Sequence, residues 1–197
     1  MSGTLGELIK LLVSSLGSLY ILLVMLRFML QASRADFYNP VTQAIVKLTT
    51  PLVNPLRRII PGWKGLDFAS LLLALLLNSV ATALLILAAG YNLPNPGLIL
   101  SWSAIGLFAF FLNIYYWAVV ASVIISFIAP FSGHPVILVV QQILDPVYKR
   151  LRRIVPAKGG LDFSPLFIFL GISMLEILVI GPLAGRLGLR PDLVIGL

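Results

Sequence analysis

One stretch of this chain occurs twice, and the distance between its copies constrains the fold more than any other feature. Leu56-Arg57-Arg58-Ile59-Ile60-Pro61 continues through Gly65-Leu66-Asp67-Phe68 and returns 95 positions later as Leu151-Arg152-Arg153-Ile154-Val155-Pro156 and Gly160-Leu161-Asp162-Phe163. Across 56–71 against 151–166, 10 of 16 positions are identical without a gap. Each copy carries a basic pair, a proline, a turn-forming segment and an aspartate, then opens a long apolar run. That order suits a chain that leaves a charged membrane surface and enters lipid. A chain built of two such units must fold as two like halves.

Composition says what those halves are immersed in. Hydrophobic residues make up 59% of the 197 and charged ones 11%, whereas a soluble domain carries roughly a quarter charged. The apolar runs are long and continuous, which fits membrane-spanning helices and not the alternating segments of a barrel. With no cysteine, disulfides, thiolate metal sites and iron–sulfur clusters are excluded. The single histidine, His134, excludes bis-histidine haem within one chain. No cofactor is expected.

In chain order, the first repeat (1–95) contains a span at about 8–31, a loop at 33–65 and a span at about 66–89. The first run is longer than a signal-peptide core and begins with Glu7 and Lys10, so it reads as a membrane helix. The second repeat (96–197) contains a span at about 103–128, a loop at 130–160 and a span at about 161–183. There Leu98–Trp102 is expected as an interfacial lead-in, and the tail from Gly185 as a surface-lying segment. In the first loop Val41, Ile45, Leu48, Leu52, Leu56 and Ile59 recur at helical spacing, and Val136, Val140, Ile143, Val147, Leu151 and Ile154 repeat the stripe. Each loop is therefore an amphipathic helix lying in the membrane plane. Asn39-Pro40 is a helix start, and Pro51 and Pro55 are expected to divide the first loop helix into two short ones. The fold class is all-α: four transmembrane helices in two parallel two-helix repeats, related by an axis along the membrane normal.

The basic residues set the orientation. Both long loops are basic and the turn between the second and third spans is uncharged, so the positive-inside rule places both loops in the cytoplasm and both termini outside. Arg57, Arg58, Lys149, Arg150, Arg152 and Arg153 are candidates for binding anionic lipid headgroups or a protein partner, against the plainer role of anchoring the loops. Lipid accounts for these positions, so nucleic acid is not an expected partner.

Several polar residues fall inside or at the ends of spans. Asp67 and Asp162 open the second and fourth helices as caps, and Arg27 can reach the same level and pair with either. Position 122, which matches Arg27, is serine, so the halves are not equivalent. Glu176 lies roughly 21 Å along its helix, a costly place for an ionisable group. By the same counting Asn78, Asn113 and Tyr116 share its half of the bilayer, as a polar site for transport or as interhelical hydrogen-bonding glue. Ser14, Gly17 and Ser18 form a close-packing face, and His134 is a loop or cap residue. No phosphate-binding loop, zinc-protease motif or nucleophile elbow is present, and nothing points to an enzyme.

Asp36-Phe37-Tyr38-Asn39-Pro40, Pro55 to Pro61 and Leu161-Asp162-Phe163-Ser164-Pro165 together resemble the YggT family of bacterial inner-membrane proteins, whose relatives include YlmG proteins and plastid counterparts. The resemblance covers essentially the whole chain. It implies a multi-pass inner-membrane protein and roles in osmotic-stress tolerance, potassium uptake, cell division or, in plastids, cytochrome b6 maturation or nucleoid distribution. It carries over no catalytic residues. The expected function is a non-enzymatic membrane scaffold or assembly factor acting through its basic loops. The alternative is a transport-related protein or a modulator of ion or osmolyte (potassium) flux in osmotic stress, built on Glu176, and as a transporter four helices would need to act as a homo-oligomer.

Overall fold

The computed structural model describes residues 3–155 and 162–197. Helices α1 (Thr4–Ala32), α3 (Phe68–Ala88), α4 (Pro96–Ile128) and α6 (Ser164–Arg186) are long and apolar enough to cross a membrane. Amphipathic helices α2 (Pro40–Arg57) and α5 (Pro135–Ile154) join them pairwise. No strand occurs among the described residues beyond one isolated bridge.

Local chemistry explains the helix starts. Asn39, Asn95 and His134 each accept a hydrogen bond from a backbone N–H two residues on, and each precedes a proline at the first helical position. Asn95-Pro96 starts α4 early enough to include Leu98–Trp102, so the expected lead-in is helical. Its Trp102 is buried, with Nε1 donating to the Leu187 carbonyl at 3.1 Å. Pro51 and Pro55 do not divide α2, which is continuous from Pro40 to Arg57. Each proline removes one donor, and the buried row Thr42, Ile45, Thr49 and Val53 holds the helix against the spans.

That row is not the apolar stripe read from the sequence. Only Ile45 is common to both; Leu48, Leu52 and Ile59 face outward, as do Val136 and Ile154 in the second copy. In water such exposure would oppose folding, but against lipid it costs nothing. Helix α2 thus presents an apolar side outward and a partly polar side to the bundle, whereas α5 buries Val139, Ile143, Leu144 and Tyr148.

The first elbow is a tight turn. Lys64 and Gly65 adopt φ values of 51° and 85°, and Trp63 and Leu66 exchange two backbone hydrogen bonds, the Lys64 ammonium lying 4.4 Å over the Trp63 ring. Two positive-φ residues between paired neighbours are the geometry of a type I′ turn. The second elbow, with Pro156, Lys158, Gly160 and Leu161, lies outside the described residues.

The packing is uneven. The main core joins Ile21, Val24 and Met25 of α1 with Ala69, Leu73, Ala81 and Leu85 of α3 and Leu107 of α4. By contrast α6 buries little beyond Ile168, Ile172 and Ile180. The tail corrects the expectation of a surface segment. Leu193, Val194 and Ile195 are buried, and Ile195 reaches Gly17 on α1 and Gly106 on α4. Non-helical backbone inside a span region is tolerated only when enclosed by protein, and here α1, α3 and α4 enclose it.

Candidate functional site

The strongest polar feature is a buried cluster where α1, α2 and α3 meet. Asp67 is 1% exposed and caps α3, accepting from Ser70 Oγ at 2.6 Å. Arg57, at the end of α2, donates Nε to Asp67 Oδ1 at 3.2 Å and a terminal nitrogen to Oδ2 at 2.5 Å. Arg27 Nε lies 3.4 Å from Asp67 Oδ2, an ionic contact without hydrogen-bond geometry. Arg27 also donates to Thr49 Oγ1 at 2.9 Å, Thr50 Oγ1 at 3.0 Å and the Val46 carbonyl at 3.2 Å, and Arg57 donates to Gln31 Oε1 at 2.9 Å. Two guanidinium groups therefore share one carboxylate, and neutral oxygens of α1 and α2 accept one terminal nitrogen of each. Burial pushes the Asp67 carboxyl up, but the hydrogen bonds from Arg57 and Ser70 and the Arg57 charge outweigh it and hold it below the usual carboxylate range.

The second repeat keeps only part of this. Arg152 donates to Asp162 at 2.7 and 3.1 Å, and Asp162 caps Ser164 N at 2.9 Å. This pair is open to its surroundings, with side chains 54% and 30% exposed. Ser122 replaces the buried arginine, Leu144 and Asp145 replace the threonines, and Tyr148 lies beneath Arg152 with 5.0 Å from guanidinium to ring centre. The elbow motif thus builds a buried joint once and a surface pair once.

The intramembrane residues do not assemble as a cluster. Asn78 is fully buried and donates to the Ser103 carbonyl at 3.0 Å and the Ile195 carbonyl at 3.3 Å, so it holds the tail. Asn113 is exposed beside the tail. Glu176 is exposed on α6, where it opens one widened π turn, Glu176–Ile180. Pro182 follows that turn, and its ring displaces the carbonyl four residues back. Tyr116 packs on Phe169 with ring centres 5.0 Å apart. These residues share a depth but face different ways, and the single-chain polar site does not form.

Of the loop cations, Arg57 is committed to Asp67, Arg152 to Asp162, and Lys149 pairs with Asp145 on an exposed turn. Arg58, Arg150 and Arg153 are exposed and make no ion pair among the described residues. Helices α2 and α5 meet each other: Asn39 Nδ2 donates to the Pro135 carbonyl at 2.9 Å, Asp36 N donates to Gln142 Oε1 at 3.2 Å, and Ile45, Val139 and Ile143 share one buried cluster. Among the described residues no group of His, Cys, Asp and Glu is arranged to hold a metal.

The duplication decides the family. Residues 6–88 and 101–183 each match the sequence model of CCB3/YggT, a separation equal to that of the two elbows. The chain belongs to the YggT family. It is 46% identical to the uncharacterized protein PA0392 of Pseudomonas aeruginosa, over 93% of this chain and 94% of that one. It is 39% identical to an uncharacterized protein of the proC 3' region in Vibrio alginolyticus, over 87% and 95% of the two chains. The uncharacterized protein YggT of Escherichia coli K12 is 36% identical, over 81% and 82%. No solved structure matches the chain. The descriptions of these YggT-family relatives name no enzymatic activity. The buried cluster, its second-repeat counterpart and Asn78, Asn113 and Glu176 lie within the matched repeats, and the tail does not.

Sequence reasoning missed Gln31, Thr49 and Thr50 as partners of the arginines and Ser70 as a partner of Asp67, because these are ordinary residues in an apolar chain. A usable signal for Arg57 did exist, because arginine and aspartate stand 10 positions apart in both elbows.

Proposed function

We propose that this YggT-family protein is a non-enzymatic membrane scaffold or assembly factor, with α2 and α5 joined into one basic platform that binds anionic lipid or a protein partner. The observation that carries this reading is the pairing of α2 with α5 while Arg58 and Arg153 stay exposed and outside any ion pair among the described residues. In this reading the platform faces the cytoplasm and both termini lie outside the inner membrane. The natural absence of cysteine makes the topology testable. A single Lys149→Cys in intact cells is expected to resist a membrane-impermeant thiol reagent and a single Asn95→Cys to react with it; the reverse pattern would invert the orientation.

Function is tested by charge reversal of residues that no internal contact needs. Arg58→Glu with Arg153→Glu is expected to abolish osmotic-stress complementation and crosslinked partner recovery while leaving folding intact. Arg57 is left alone because it holds Asp67. Glu176→Gln is the counter-test for the flux alternative, which in this fold requires a second copy to complete a path around the exposed carboxyl. Complementation and potassium uptake are expected to survive it. If reversal is silent and Glu176→Gln abolishes both, the scaffold reading is wrong.

A further inference from the structure

Between α4, α5 and α6 lies a groove of about 670 Å³, within the range of ligand-sized pockets. Apart from Arg150 and the Tyr115 hydroxyl, its lining side chains carry no hydrogen-bonding nitrogen or oxygen. Its α6 wall runs from Phe167 to Val179, about 18 Å at 1.5 Å per residue, slightly more than half the roughly 30 Å hydrocarbon core. That length matches one leaflet. Arg150 makes no hydrogen bond or ion pair among the described residues, and all seven acidic residues of the chain are described. Tyr115 likewise donates to no described residue, whereas Tyr20, its counterpart in the first repeat, donates to the Leu48 carbonyl at 3.3 Å.

The first repeat cannot form the same groove. Pro55 stands where the second repeat has Arg150, and Leu76 where it has Gly171. A Cβ added at Gly171 would meet nothing within 4 Å, so this glycine leaves the groove open. We propose that the groove binds one anionic phospholipid, an acyl chain lying along α6 and the phosphate accepting hydrogen bonds from Arg150 and the Tyr115 hydroxyl. The occupant is lipid because α4 and α6 are membrane spans, so the groove opens onto the bilayer. It is anionic because, among the described residues, the charge lining it is a cation outside any ion pair. This deepens the proposed lipid-binding reading and rests on it, but assigns the selectivity to one site.

The test uses the full chain reconstituted in phosphatidylcholine vesicles carrying a trace of spin-labelled phosphatidylglycerol or spin-labelled phosphatidylcholine. Electron paramagnetic resonance reads the motionally restricted share of each label. The parent protein is expected to prefer the phosphatidylglycerol label about five-fold, the effect of roughly one basic residue near a headgroup. Arg150→Gln is expected to bring that ratio close to one and Arg150→Lys to keep most of it. Gly171→Leu, which installs the first-repeat residue in open space, is expected to reduce restriction of both labels. Parent-like selectivity in Arg150→Gln, or parent-like restriction of both labels in Gly171→Leu, would overturn the groove. If the Arg58 and Arg153 reversal abolishes selectivity while Arg150→Gln does not, the groove is wrong and the platform reading stands. Equal restriction of the two labels by the parent protein removes lipid selectivity from both.

Discussion

Asp67→Asn is expected to lower stability by about 3–5 kcal/mol, the cost of removing one partner from a buried ion pair. The substitution leaves Arg27, 4% exposed, and Arg57 facing each other without their shared carboxylate. It also replaces the acceptor of the Ser70 hydroxyl bond at the start of α3. Thermal unfolding in a fixed detergent, followed by circular dichroism, measures the loss. The internal control is Asp162→Asn, whose exposed pair with Arg152 predicts a change of about 0–1 kcal/mol. Equal losses at the two positions would contradict the buried joint.

Acid should reproduce the first effect without mutation. The folded-state pKa of Asp67 is depressed below its ordinary 3.8, so the cluster's contribution is present above that value and is lost as pH falls through it toward the lowered one. The parent protein should therefore lose stability below about pH 4, and Asp67→Asn should show a flatter pH profile in that window. Parallel profiles for the two proteins would assign the acid sensitivity to other carboxylates.

Gly106→Val is expected to unseat the tail. A Cβ there would clash with Val194 Cγ1 and lie 2.8 Å from the Ile195 carbonyl oxygen, with the Asn78 amide at 3.3 Å. The side chain of Val194 can turn, but the backbone oxygen of Ile195 moves only with the tail. Overpacking costs about 1–3 kcal/mol, and loss of the Ile195 acceptor withdraws a hydrogen bond from buried Asn78, worth about 1 kcal/mol. Displacement is read by labelling a single Leu193→Cys, since position 193 is 2% exposed in the folded chain. Slow labelling in the parent background and fast labelling with Gly106→Val is the expected pair of results. Fast labelling in both would mean that the tail does not occupy this place.

The halves, the spans and the loop helices could be read from repeated residues and apolar length. Arg27 could be read as a pairing residue because a charge near the end of a span must find a partner, and Asp67 was one of the partners in reach. Other features depend on which way a helix faces, which depth along a helix does not reveal. Asn78 and Glu176 were grouped by depth, yet one faces the core and the other faces outward. The tail was illegible for a related reason: Leu193-Val194-Ile195 is too short to show a period, and its receptors are glycines on α1 and α4 whose meaning appears only when the helices stand side by side. Thr49 carries no signal in the sequence, because the apolar stripe marks one face of α2 while the face toward the bundle is half polar.

The seated tail also bears on how the fourth span stays in place. On its own packing α6 is a poor neighbour, touching the bundle along one narrow strip. Yet the chain runs from its last turn directly into a segment clasped by α1, α3 and α4, with Trp102 holding the Leu187 carbonyl on the way. Such a tether makes the docking of α6 a unimolecular event at high effective concentration. A weak helix contact can then persist without being rigid. The stretch of α6 that carries Gly171 and Glu176 is thus kept at a fixed address while its surroundings remain free to exchange.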